Sequence, residues 1–460
     1  MSTYDQILNH FEQESPFAVL IRTILQRLLP PDQLDRLFNE TAEKQYERDL
    51  LFSTLMTLML EVVLKSSPTI HHSFKRHQDD IPVAVKSVYN KLNNLEPNIA
   101  VELVRHSVRQ FRPLQRVLRA EAPELLKGYH VRIIDGNHFR GTEHRLKGTR
   151  THQATPLPGF ALAVLDPRYR MFVDLIPCED GHAQERSLFP QIEPLVGKND
   201  LWIADRNFAT LELMFDIASK KAFFLMRQHG SLKTWTNENE EKYVGQTETG
   251  YVYEQRIGVT HPKTGEVRIL RRIRLELFEK TRDGETEIVL LTNLSKKSAS
   301  AIVCCNLYLD RWGIERAFLE MTECLSCEID TLAYPKAAIF AFCVATMLYN
   351  AVSLMKSSIA AAHGELALEN ISWYYAYTET YSVWSGMEIA LPFDFWSKRI
   401  DGMNDRELGG YLKSLSGKID ISKFTKSRRG PKKKVKKTYD PKVNHVSTFK
   451  VLQDRKNSQK

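Results

Sequence analysis

Between Tyr129 and Met226 the chain alternates short apolar runs with turn residues, leaving room for only two helix-length segments, and this order restricts the fold more than any other feature. Val131–Asp135 (VRIID), Gly159–Asp166 (GFALAVLD) and Met171–Pro177 (MFVDLIP) read as three successive strands. Hydrophobes at Leu188, Phe189, Ile192 and Leu195 predict a helix over Gln184–Val196. Leu201–Ala204 is then a buried strand, Leu211–Ser219 a second helix and Phe223–Met226 another strand. The sequence β-β-β-α-β-α-β predicts an α/β fold, a mixed sheet flanked by helices. Residues 231–299 interrupt it with alternating Thr, Val, Tyr, Arg and Glu, as in Tyr251–Ile257 and Val267–Phe278, which reads as an antiparallel β insertion. Ile288–Leu294 is expected to rejoin the sheet.

The flanks have a different texture. Residues 1–125 repeat apolar positions at three and four spacing through Phe17–Leu29 and Leu50–Leu64, which predicts helices. A long helix is expected from about Ser298 to Glu328, apolar helices to about Met355, and a mostly helical, aromatic-rich region over 356–422. Leu50–Leu64 is too short for a membrane span and holds Glu61; Ala337–Met355 holds Thr346, Asn350 and Ser353. Both are expected to be buried helices, with no membrane as partner. Met1–Ser15 is polar and acidic, without a secretory pattern, and six cysteines give no disulfide framework, so a cytoplasmic location is expected. Cys324 and Cys327 have zinc-like spacing but no second pair, and read as core thiols.

Charge is concentrated at one end. Residues 423–460 hold fourteen bases against two acids, +12, so the rest carries −4 of the formal +8. Lys432, Lys433, Lys434, Lys436 and Lys437 lie in this tail, which lacks the apolar residues for a core and is expected to be disordered on its own. Such a tail suits sequence-independent, salt-sensitive contact with DNA. A second basic feature lies in the helical flank: Arg105, Arg109, Arg112, Arg116 and Arg119, spaced 4, 3, 4 and 3, form one helical stripe suited to phosphates. Pro113 falls inside it and predicts a kink or two helices.

Candidate chemistry sits on three acids. Asp135 ends the strand VRII before Gly136, and Asp205 ends LWIA in the same way, so both carboxylates emerge where strands give way to turns. There they can supply hard oxygen ligands to Mg²⁺; taken singly, each reads better as a turn or cap residue. In Tyr308-Leu-Asp-Arg311-Trp-Gly-Ile-Glu315 the residues Tyr308, Arg311 and Glu315 fall at i, i+3 and i+7, one face of a helix, beside an apolar stripe of Ile314, Phe318, Met321 and Leu325.

The segments IIDGN, WIADRNF and YLDRWGIERAF resemble the three acidic motifs of DDE transposases with an RNase H-like core. The third is similar to the Tyr-x2-Arg-x3-Glu-x6-Lys signature of the bacterial insertion-sequence-four family. The acids are 70 and 110 residues apart, the second gap holding the β insertion this family places there. Asn444-His-Val-Ser-Thr448 after the basic tract also resembles one branch. The likeness covers residues 129–350 and departs at one place: Thr322 stands where the family has Lys. The resemblance implies a DNA transposase of the nucleoid-associated bacterial cytoplasm that cuts element ends and transfers strands into target DNA, by cut-and-paste transposition. Asp135, Asp205 and Glu315 would be catalytic, holding two Mg²⁺ ions, with Mn²⁺ as substitute. It makes Tyr308 and Arg311 phosphate clamps, assisted by Arg206 and by a weakened contact from Thr322. The expected organisation is a helical DNA-binding domain (1–125), a catalytic core (126–355) and a helical region suited to dimerisation (356–422), followed by the basic tail (423–460). Trp235 is a candidate for stacking on a displaced base. The expected partners are terminal inverted repeats, target DNA and a second copy, a homodimer on DNA, with no nucleotide cofactor. A structure-selective Mg²⁺ nuclease on the same core, or a DNA-binding relic without catalysis, would share these motifs.

Overall fold

Short apolar runs bounded by turns become edge-to-edge strands only if both faces find cover, and here they do. The structure, a computed structural model, describes residues 2–142, 157–236, 241–281 and 284–426, with 146, 430 and 457. By their contacts Met1–Phe424 form one unit and Thr425–Lys460 a second. In the first unit β1 (His130–His138), β2 (Phe160–Asp166) and β3 (Met171–Cys178) make an antiparallel meander. β4 (Asp200–Ala204) pairs parallel with β1, and β5 (Phe223–Arg227) parallel with β4. The insertion contributes β6 (Lys242–Gln246), β7 (Gly250–Thr260) and β8 (Val267–Leu277), and β9 (Glu287–Thr292) returns antiparallel to β5. The insertion extends the same sheet through the β8–β9 pairing: the order is β3-β2-β1-β4-β5-β9-β8-β7-β6.

Seven helices precede the sheet: α1 (Thr3–Glu14), α2 (Pro16–Gln26), α3 (Pro31–Thr41), α4 (Phe52–Val63), α5 (Ile70–Arg76), α6 (Val85–Asn94) and α7 (Pro97–Leu118). α8 (Leu211–Ser219) links β4 to β5. After β9 come α9 (Ala301–Leu309), α10 (Trp312–Cys324), α11 (Pro335–His363), α12 (Glu365–Asn370), α13 (Trp373–Ala390), α14 (Phe393–Ile400) and α15 (Asp405–Gly417). α11 is apolar around most of its girth because it is surrounded, by α7, α15, α2 and β3 among others. It is long and apolar enough to cross a membrane, but nearly all of that stretch is buried inside the protein. α2 is buried along its whole length against α13, α14 and α15, so segments from the two ends of the unit share one core.

The sheet separates two apolar layers. Ile133, Leu201, Ile203 and Leu225 face the large helical core. Ile134, Leu162, Trp202 and Phe224 face α8 and the turns before β4. Successive residues of a strand point to opposite faces, so Asp135 falls on the Ile133 side, toward the helices that follow β9.

Three expectations change. Gln184–Val196 is not an α-helix but two 3-10 turns, Glu185–Gln191 and Glu193–Leu195, because Pro190 and Pro194 remove donors and disfavour helical geometry at the residues before them. The single helix expected over 298–328 is broken at Asp310–Arg311 into α9 and α10, and α10 ends at Cys324. Tyr308 and Glu315 therefore lie on different helices rather than on one face. Pro113, conversely, interrupts nothing: α7 runs unbroken through it, and Arg119 closes the helix at φ 51°. Cys324 and Cys327 are buried and unpaired, with both thiols raised to about 12 by burial.

Candidate active site

Parallel pairing of β1 and β4 ends with Ile134 beside Ala204, so the next residues, Asp135 and Asp205, lie side by side where the two strands part. Contrary to expectation Asp135 does not end its strand, because β1 runs on to His138 along β2 with Asp135 opposite Ala163. Carboxyl ends of parallel strands are where open α/β sheets gather ligands. Gly136 donates its N–H to Asp135 Oδ1 at 2.9 Å, which helps to fix the carboxylate.

The turn between α9 and α10 brings the third acid. Ser300 caps α9, accepting from the Val303 N–H, and α9 ends one residue past Tyr308. The chain then turns through Asp310 and Arg311, and Glu315 lies in the first turn of α10. Arg311 is 8% exposed and spans two acids: Nη1 donates to Asp135 Oδ2 at 3.1 Å, and Nη2 lies 2.6 Å from Glu315 Oε1. The Tyr308 hydroxyl reaches to 3.4 Å from Asp205 Oδ1, with the Arg311 guanidinium over its ring. Five of the residues singled out in the sequence thus meet at one place.

Electrostatics follow from burial. Desolvation raises the Asp135 carboxyl to about 6; Arg311 and the Gly136 N–H oppose the rise, and Glu315 and Glu185 add to it. Burial likewise pushes the Tyr308 phenol far above its ordinary range, so it is a neutral donor. Arg311 resists its own burial because Tyr308, Asp135 and Glu315 surround it, and its charge is held more firmly than usual.

Two residues join the site that the sequence reading did not select. Arg227 ends β5; Asp205 and Tyr308 both act on its charge, and its Nη2 lies 2.5 Å from Glu285 Oε1. An arginine closing the apolar run FFLM was the available signal. Glu185, in the first 3-10 turn, lies over β1: a Cβ on Gly136 would sit 2.1 Å from its Oε1. The glycine after Asp135 was the trace of that approach.

Of the remaining candidates Arg206 borders the site, and the others lie elsewhere or outside the described residues. Arg206 holds Glu285 at 3.1 Å, sharing that carboxylate with Arg227. Thr322 donates its hydroxyl to the Phe318 carbonyl of its own helix at 2.9 Å, about 10 Å along α10 from Glu315. Arg105 pairs with Asp174, Arg109 with Glu102, Arg112 with Asp166, and Arg116 reaches Tyr169 and Glu121. Trp235 is part-exposed and bridges to Gly258, whose missing Cβ leaves room for the indole. Lys432, Lys433, Lys434, Lys436 and Lys437, with Asn444–Thr448, lie outside the described residues.

Among the described residues no three His, Cys, Asp or Glu side chains form a ready metal cage. Arg311 stands between Asp135 and Glu315 and supplies the positive charge there. The donor set is nevertheless all carboxylate oxygen, the chemistry Mg²⁺ prefers. With Arg311 in place Asp135 is still short of countercharge, so the residues fit a divalent cation once that side chain yields.

Residues 126–350 match the family described as Transposase DDE domain. The matched span holds Asp135, Asp205 and Glu315 and the whole β insertion, and it supports a DDE transposase. No curated protein matches the chain. Among solved structures, the cryo-EM structure of a piggyBac transposase synaptic complex with hairpin DNA is similar over 86% of this chain and 85% of that one, at 11% identity and a TM-score of 0.38.

Proposed function

We propose that the protein is a cut-and-paste DNA transposase of the insertion-sequence-four type, with Asp135, Asp205 and Glu315 as catalytic carboxylates on an RNase H-like core. The observation that carries this reading is the meeting of acids from β1, β4 and α10 through Arg311 and Tyr308. The antiparallel β3-β2-β1 meander continued by parallel β4 and β5 supports the core assignment.

Asp135, Asp205 and Glu315 would hold two Mg²⁺ or Mn²⁺ ions, which when bound activate the attacking water or 3′-hydroxyl and stabilise the leaving oxygen. The chain's own residues do the positioning. Arg311 has a planar fork that already spans two acids; turned from them, it donates to phosphate oxygens in the same bidentate manner. Tyr308 is held neutral and donates from the Asp205 side. Arg227 and Arg206, linked through Glu285, add positive charge along the same edge. Burial of Arg311 and partial burial of Asp135 limit how far water screens the contacts these two make.

In this reading the N-terminal helices recognise element ends, residues 356–422 serve a homodimer on DNA, and the tail adds salt-sensitive affinity. The setting is the bacterial cytoplasm, at the nucleoid, and no nucleotide cofactor takes part. The test offers, in separate reactions with target plasmid and Mg²⁺, intact element ends and pre-cleaved ends with a free 3′-hydroxyl. Joined products are expected. Cutting of intact ends without joining would point to a nuclease, and DNA binding with neither activity to a relic.

A further inference from the structure

A basic groove runs along α7 past the starts of β1 and β4, the ends opposite Asp135 and Asp205, and the proposed chemistry makes no use of it. It has two adjoining lobes of about 300 and 280 Å³ that share Arg112 and Arg132. Arg116 and Arg168 line the first lobe with Glu124, which holds Arg168 at 2.7 Å, and Trp202 lines the second with Asp174, which holds Arg105 at 2.9 Å, so the arginines still outnumber the acids. Arg132 and Trp202 are register partners on β1 and β4, and Arg132 stands three residues before Asp135, about 10 Å along the strand.

Charge and hydrogen-bond supply are unbalanced here. Asp166 is 5% exposed and receives both Arg132, at 2.5 Å, and Arg112, at 2.8 Å, on the single oxygen Oδ2. One carboxylate thus sits between two guanidiniums. Burial lowers the Arg112 pKa, Arg132 and Arg116 add to that effect, and Asp166 opposes it. Nε of Arg112 and Nε of Arg168 are buried without a hydrogen-bond partner among the described residues. The indole N–H of Trp202, a residue only 1% exposed, is equally without one. All three unmet groups are donors, so the complementary ligand is rich in acceptors and negative.

Shape narrows the class. From Arg105 to Arg116 the helix advances about 16 Å, far more than one phosphate spans. A DNA strand presents a charge about every 3.4 Å along its axis, so a row of guanidiniums of this length fits a polymer better than a single ion. We propose that this groove binds phosphate groups, those of a DNA backbone segment held away from the cleavage site. The proposal rests on the transposase reading for the presence of DNA, and on the groove alone for the phosphate chemistry.

The experiment uses the full chain in EDTA, so that no cleavage intervenes, with duplex DNA affinity measured by fluorescence anisotropy across a KCl series. The variants are Arg116→Gln/Arg168→Gln, both partly exposed positions, and Trp202→Phe, which keeps the ring packing and loses the N–H. Arg406→Gln, an exposed change on α15, is the control. A second arm follows thermal unfolding with added inorganic phosphate. The double variant is expected to bind DNA roughly threefold more weakly per lost contact, with a salt slope lower by about 1 for each. Trp202→Phe should weaken binding with the slope unchanged, and Arg406→Gln should match wild type. If Trp202→Phe does not fold, the arginine pair carries the test. Stabilisation of wild type but not the double variant by phosphate, with DNA affinity unaltered, would keep the phosphate site and replace DNA by a free phosphate source. Wild-type affinity, slope and phosphate response in all variants would overturn the groove alone. Failure of wild type to bind any DNA would instead overturn the transposase reading, leaving the phosphate arm to decide the groove.

Discussion

Asn350 is fully buried on α11, and replacing it with Leu should both loosen the fold and disturb the site. β3 is an edge strand of the sheet, and an edge leaves backbone donors and acceptors that burial makes costly. The Asn350 amide serves as the missing neighbour: its Oδ1 accepts from the Phe172 N–H at 2.9 Å, and its Nδ2 donates to the Phe172 carbonyl at 2.8 Å and to Ser107 Oγ at 2.9 Å. Leu has a similar volume but offers neither group, so the Phe172 N–H and C=O are both orphaned. At about 1–3 kcal/mol for each buried group left unsatisfied, and with a partial offset from added apolar burial, the net loss should be about 3–4 kcal/mol. Ser107→Ala should cost only about 1 kcal/mol, because both backbone groups keep their partner. The assay is urea unfolding followed by circular dichroism and tryptophan fluorescence, read as a shift in midpoint at constant slope. A functional consequence follows, since the Phe172 ring stacks on Phe318, three residues beyond Glu315, at 5.5 Å. DNA cleavage by Asn350→Leu should therefore fall under conditions where the variant is still folded. A loss below about 1 kcal/mol would refute the reasoning, because it would mean that the edge groups of β3 find water or another partner.

Glu379 accepts the Phe17 N–H at the start of α2 and is raised to about 7, chiefly by burial. A raised carboxyl destabilises the fold as pH climbs from 4.5 through 7, so Glu379→Gln should stabilise by about 1–2 kcal/mol at pH 8, after discounting for solvent screening, and by nothing near pH 4.5; thermal melts at the two pH values check it. His106 is lowered to about 4, mainly by burial with Arg109 adding to it. Its neutral form is the folded one, so stability should fall as pH drops from 6.5 toward 4, and His106→Gln should flatten that part of the profile. Gly136→Ala pushes a methyl into Glu185, and a double-mutant cycle of Gly136→Ala with Glu185→Ala should show a coupling of about 1 kcal/mol in unfolding free energy; additivity would place Glu185 away from β1.

Much of the architecture could be read from periodicity. Strand runs such as GFALAVLD and LWIA are buried on both faces and leave a continuous apolar signature. The two aspartates were legible because a charged residue closing an apolar run stands out, although β1 runs past Asp135 to His138 and only Asp205 follows the end of its strand. What the sequence hid depends on distant partners. The break at Asp310–Arg311 has no proline behind it; it turns Arg311 toward Asp135, a residue 176 positions earlier. Gln184–Val196 kept helical spacing of its hydrophobes, but Pro190 and Pro194 outweigh it. The arginine stripe of α7 was visible at its 4, 3, 4, 3 spacing, while the carboxylates that pair with it, Asp166 and Asp174, come from β2 and β3. Glu185 and Arg227 went unselected because each reaches the site from an element whose approach local spacing does not encode.

The central claim is that Asp135, Asp205 and Glu315 act as one metal-dependent centre. Single-turnover cleavage of labelled DNA carrying the sequences on either side of the gene, with Mg²⁺ and alongside an EDTA binding assay, tests it most directly. Asp135→Ala, Asp205→Ala and Glu315→Ala are each expected to lose about 10³-fold or more in cleavage rate, equivalent to several kcal/mol of transition-state stabilisation, while binding DNA nearly as wild type does. Cleavage at the wild-type rate in any one of the three would contradict the account.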